Sequence, residues 1–215
     1  LEQRHFILDV CRENPADFKA HSKGQGAVGP QALVHSTAYV GAGAVVCNDA
    51  QVLEKATVAG EARVAQGALI YGKARILQKA QVLGRAQVFG RALVSDAAVI
   101  SGRARVSGKV WVSGQVRVSG DVVLSKNVLL RENVSVSGQA QVTDRVRLSG
   151  NAKVSEKAQI SGEAQIFGDA IIAGEARVYG YAKIFDRARV AGSAVVGGSA
   201  WVRGDESLDR GKHTR

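Results

Sequence analysis

Four histidines, two cysteines and a row of evenly spaced cations are the side chains in this 215-residue chain whose types suit chemistry. Histidine titrates near neutrality and serves widely as a general base and a zinc ligand. Of His5, His21, His35 and His213, only His35 lies in the regular part of the sequence, directly after Val34. A catalytic zinc site takes about three protein ligands, which one such histidine cannot supply, so neither metal nor cofactor is expected. Cys11 and Cys47 show no metal-like spacing and no disulfide framework. They read as free thiols, which favours a reducing, cytoplasmic compartment. Arg203-Gly204-Asp205 and Asn133-Val134-Ser135 match an adhesion tripeptide and a glycosylation sequon. Both fall in step with the surrounding pattern and need no function to explain them.

The cations are more informative. Lys55, Lys73, Arg91, Lys109 and Arg145 stand at multiples of 18 residues, with Asn127 filling the gap. Such a row can track nucleic acid or another polyanion, and the net charge of +10 agrees with that. Large apolar residues share the interval: Leu93, Trp111 and Leu129 form one file, and Leu53, Tyr71 and Phe89 another. Leu77 and Leu83 occupy equivalent places, and Phe167, Tyr179 and Phe185 cluster further along. Stacked apolar files at outward positions point to packing against a partner or another copy.

What positions all of these is a repeat of six. All 29 positions in steps of six from Val34 to Val202 are Val, Ile or Leu. Two residues earlier the chain has Ala 23 times and Val six times; two residues later it has Gly 17 times. Residues two apart share one face of a strand, so each Ala-x-Val places a small and an aliphatic group inward. The Gly stands third in a four-residue bend such as Val106-Ser107-Gly108-Lys109, where a type II turn needs positive φ. Where Gly is replaced by Lys126 and Glu132, the left-handed residue is expected one place on, at Asn127 and Asn133. A six-residue unit cannot bury its face alone, but three of them close a triangle, and each 18-residue coil then stacks on the last. The 29 units make nine to ten coils, roughly 45 Å long at a strand spacing of about 4.8 Å. The period offers no 3.6-residue helical face. The serines at Ser95, Ser101, Ser107, Ser113, Ser119 and Ser125 lack the flat paired threonine rows of ice-binding arrays.

Runs such as Ala104-Arg105-Val106-Ser107-Gly108 resemble the hexapeptide-repeat superfamily of left-handed β-helices over about four-fifths of the chain. In repeat style the sequence looks like the YdcK-like bacterial proteins. The resemblance implies an all-β, single-stranded parallel β-helix, left-handed and triangular; a right-handed helix of the bactofilin kind is the alternative. The superfamily is known for trimeric acyltransferases and γ-class carbonic anhydrases, and also holds members without known activity. Its acyltransferases place a basic histidine on a coil near an inserted loop. His35 is the one weak counterpart, and no loop interrupts these repeats. The expected organisation is a lead-in and cap at 1–25, a β-helix at 26–205 and a frayed polar tail at 206–215. Within the lead-in, His5-Phe6-Ile7-Leu8 to Phe18 is expected to cover the open first coil. The expected role is a non-enzymatic rigid module that self-associates laterally as a dimer or trimer, or packs on another protein. An acyltransferase acting at an intersubunit cleft and a polyanion-binding spine are the alternatives. No stretch of about 18 apolar residues suggests a membrane span.

Overall fold

The computed structural model describes residues 10–214. His5-Phe6-Ile7-Leu8, expected in the cap, lie outside the described residues. Short strands, nearly all of two residues, recur every six residues and assemble into three parallel sheets of 12, 10 and 11 strands. From Ala27–Val28 to Ser207–Leu208 each strand pairs with the one three places on, so each residue meets its counterpart 18 later. Arg75 faces Leu93, Leu93 faces Trp111, and Trp111 faces Leu129. The three sheets are the walls of a triangular prism.

The inward pairs fill it completely. From Ala38 to Val202 the Ala and Val/Ile/Leu positions form one continuous cluster at 0–2% exposure. The core is narrow, so each coil holds only three small and three aliphatic side chains. Val110 to Val134 and Leu124 and Leu130 are buried as completely as the Ala-based coils.

Every turn position in steps of six from Asn48 to Gly204 has positive φ, whatever the residue. This corrects the expectation at 126–127 and 132–133: Lys126 (φ 68°) and Glu132 (φ 64°) themselves take the left-handed conformation, and the asparagines do not. The stack is the reason. A one-residue shift would displace the turn from those above and below, whose backbones bond coil to coil, as Lys109 N–H to Lys126 O at 2.6 Å. A left-handed non-glycine residue costs roughly 1–2 kcal/mol, less than breaking that ladder.

Many of these non-glycine residues have a task. Asp96 accepts the Gly114 N–H at 2.8 Å, Glu132 the Gly150 N–H at 2.7 Å, Asp144 the Gly162 N–H at 3.1 Å and Asp186 the Gly204 N–H at 3.0 Å. The turn N–H has no backbone acceptor below it, and a carboxylate from the preceding coil fills that need.

The ends differ from the reading above. Lys19–Ala20 adds antiparallel to Ala27–Val28 and so closes the edge of the 12-stranded sheet. The residues before it lie on the flank of the prism: Cys11, Val10 and Phe18 pack with Val45, Cys47, Ala65 and Leu83. Cys11 and Cys47 are bonded as a disulfide, 36 residues apart in sequence. They are not the free thiols expected, because the lead-in folds back along the wall and brings its thiol to the first full coil. Asn48 Nδ2 donates to Cys11 O at 2.6 Å and reinforces the return. The polar tail is not frayed throughout, for Ser207–Leu208 pairs with Arg189–Val190 and Lys212–Thr214 with Val195–Gly197. Open backbone edges of the last coil offer bonds that a polar segment can take as well as an apolar one. No helix among the described residues is long and apolar enough to cross a membrane.

Candidate functional site

Only the outward residues of the three walls and three corners can meet a partner. The first corner carries residues 35–37 and their equivalents every 18, between the 11- and 10-stranded sheets. The second carries 41–43 and equivalents, and the third 47–49 and equivalents.

At two corners several charges are matched coil to coil. The second holds Glu61–Lys79 at 3.5 Å, Arg187–Asp205 at 2.8 Å, and an amide relay from Asn133 through Asn151 to Asp169. Asp205, the acid of the adhesion-like tripeptide, is thus engaged by Arg187, and Asn133 of the sequon stands on a turn. The third holds Arg103–Asp121 at 2.7 Å and Lys157–Glu175 at 3.2 Å.

The first corner divides in two. Its later coils are matched by Lys126–Asp144 at 2.5 Å and Arg145–Glu163 at 2.9 Å. Its earlier coils carry Lys55, Lys73, Arg91 and Lys109 in unbroken succession, all exposed. None of the four makes an ion pair or a side-chain hydrogen bond among the described residues. The structure therefore splits the sequence-derived row: Arg145 belongs to a neutralised ladder, and the other four form a bare one.

His35 sits at the start of this corner. It is exposed; its Nδ1 lies 2.7 Å from Thr37 Oγ1, and Thr37 in turn donates to Glu54 O. His35, Thr37, Glu54, Lys55, Lys73 and Arg91, with Gly72 and Gly90, line a shallow groove of about 670 Å³. Beside it, Tyr71 and Phe89 stack at 4.7 Å with planes 6° apart, half-buried against the wall. Each ring covers one face of the other. Leu53, half-buried, continues that file.

The wall next to the corner, the 10-stranded sheet, carries three of the exposed large apolar groups, while Leu33 (56% exposed) stands on the 11-stranded wall. Its outward file includes Tyr39 (44% exposed), Trp111 (49%) and Trp201 (51%), with Leu93 and Leu129 on either side of Trp111. Tyr181, at the adjoining corner, is 61% exposed. Trp201 is partly held by Phe185, edge-on at 6.1 Å, and by Lys183 Nζ at 5.1 Å from its ring. Trp111 has no such partner among the described residues. Tyr39, Tyr181 and Trp201 were not singled out from sequence, although Tyr39 and Trp201 fall on the same 18-residue count as Trp111. No group of three His, Cys, Asp or Glu that could hold a metal exists among the described residues.

The YdcK beta-solenoid repeat family matches at residues 86–102, 98–114 and 182–198. Among solved structures, the UDP-N-acetylglucosamine acyltransferase from Campylobacter jejuni superposes with a TM-score of 0.62 over 74% of this chain and 67% of that one, at 17% identity. The chain is a left-handed β-helix repeat protein. At that identity the likeness concerns the fold. No curated protein matches the sequence. Among the described residues the repeats run without inserted loops.

Proposed function

We propose that this β-helix is a non-enzymatic, rigid interaction module that associates laterally with a second copy through its 10-stranded wall. The observation that carries the reading is Trp111, 49% exposed between Leu93 and Leu129 on a regular sheet face. Along that file the order is Arg75, Leu93, Trp111, Leu129, Arg147, the same kinds of residue in either direction from Trp111. A two-fold contact requires a self-complementary patch, and this one lays Leu93 of one copy on Leu129 of the other with the tryptophans at the centre. Central Trp anchors commonly dominate interface energies. The prism core is separate from the wall, so the surface can dock without disturbing the fold.

An acyltransferase role draws support from the likeness to the Campylobacter enzyme and from the trimers that the superfamily resemblance implies. Against it, His35 is an exposed corner residue bonded to Thr37, with no inserted loop to build a cleft around it.

Light scattering coupled to size exclusion tests the proposal. The wild-type protein at tens of micromolar should run as an oligomer, and Trp111→Arg as a folded monomer with an unchanged melting point. A wild-type monomer under these conditions would overturn lateral self-association. Loss of an acyl-coenzyme A activity on His35→Ala would overturn the non-enzymatic part.

A further inference from the structure

The bare cation row at the first corner has no structural use, and it comes with a second, independent feature. At the second corner, the turn N–H groups of Gly114, Gly150 and Gly204 are each capped by a carboxylate from the coil below. At the first corner, Gly72, Gly90 and Gly108 stack on one another, so Gly90 and Gly108 have no side chain beneath them. Their N–H groups find no acceptor among the described residues. Those two amides are followed directly by Arg91 and Lys109, and Lys73 holds the same place after Gly72. The protein's own geometry thus shows what fits such an amide, namely a carboxylate lying along the corner, as Asp144 does beside Gly162 on a later coil of this same corner. Stacked glycines at the third corner leave Gly102, Gly120 and Gly138 uncapped as well, but only the earlier coils of the first corner set such amides beside an unbroken row of unpaired cations.

We infer that the first corner from Lys55 to Lys109 binds a linear acidic polysaccharide carrying a carboxylate on each sugar. Its carboxylates take the place that Asp96 takes beside Gly114, accepting from Gly90 and Gly108 N–H and pairing with Lys73, Arg91 and Lys109. The cations repeat once per coil, about 4.8 Å apart and about 14 Å from first to last, close to the length of one sugar per charge. Four like charges at that spacing repel one another, and a bound polyanion relieves the repulsion. Single-stranded nucleic acid fits less well, because base binding uses a series of open aromatic faces, and the two rings beside this row, Tyr71 and Phe89, each give one face to the other. The Cys11–Cys47 disulfide points the same way, since such bonds persist in oxidising, extracytoplasmic settings, where acidic polysaccharides are found. This site is independent of the wall around Trp111.

Titration calorimetry with oligogalacturonate, and in parallel with oligothymidylate and inorganic polyphosphate, tests the assignment. Oligogalacturonate should bind the wild-type chain more tightly than the other two, and less tightly as salt is raised. Lys73→Glu with Arg91→Glu should weaken it at least tenfold, while Lys157→Glu at the third corner leaves it unchanged. Gly90→Asp supplies an internal carboxylate beneath Gly108 and should also weaken binding at least tenfold; circular dichroism establishes that each variant is folded. Absence of oligogalacturonate binding overturns the proposal, as does equal loss in Lys157→Glu. A preference for oligothymidylate or polyphosphate overturns the carboxylate assignment.

Discussion

Lys126 and Asp144 stand one above the other on successive coils, with Nζ 2.5 Å from Oδ1, and the other oxygen of Asp144 accepts the Gly162 N–H at 3.1 Å. The Lys126 hydrogen bond, then the Gly162 amide, hold the Asp144 carboxyl below its usual range. A carboxylate whose folded pKa is depressed adds stability above its unfolded pKa of about 3.9. That contribution is lost as pH falls through the lower folded value. The pair is largely solvent-exposed, so its worth is at most about 1 kcal/mol. NMR titration should show Asp144 protonating below the usual aspartate range, and Lys126→Gln should move it back up.

The turn carboxylates offer a sharper stability test. Asp96 is in the left-handed conformation (φ 59°) and caps Gly114. Asp96→Ala loses the cap and keeps the conformational strain, whereas Asp96→Gly loses the cap but removes the strain. Urea midpoints should therefore fall for alanine by about 1–2 kcal/mol in stability, and by clearly less for glycine. Equal losses would mean that strain at this position is negligible.

Val136 is fully buried in the centre of the prism. Val136→Asp places a carboxylate in a dry core without a partner and should cost several kcal/mol, on the order of 2–7. Thermal melting reads it directly; an unchanged midpoint would mean that the side chain does not point inward.

Reduction should act locally. The Cys11–Cys47 bond ties the lead-in to the flank over Val45 and Ala65, and such cross-links are typically worth about 2–4 kcal/mol. A repeat array is held by neighbour contacts, so loss at one end need not spread. Cys47→Ser should expose the lead-in to proteolysis and leave the coils beyond Ala65 protected in hydrogen exchange. Loss of protection throughout would show that the array unfolds as one unit.

The hexads by themselves determined the architecture. A strictly periodic pair such as Ala104 and Val106 has one way to hide both side chains, on the inside of a strand-and-turn coil. The interval of 18 then fixes who neighbours whom, which is why the Leu93–Trp111–Leu129 file and the stacking of Tyr71 on Phe89 could be read without coordinates. Local periodicity carries that information because each coil touches only the next.

Three things were decided by tertiary structure alone. Lys126 and Glu132 adopt the left-handed turn against their own preference, because the stack above and below dictates the backbone. Cys11 meets Cys47 because an aperiodic segment folds back along the wall, and no repeat count can place an aperiodic segment. The division of the cations, Arg145 matched by Glu163 and Lys55 to Lys109 left bare, depends on which side chains reach one another across a corner. Charge composition is a property of the chain, but pairing is a property of distance, and only the folded prism sets the distances.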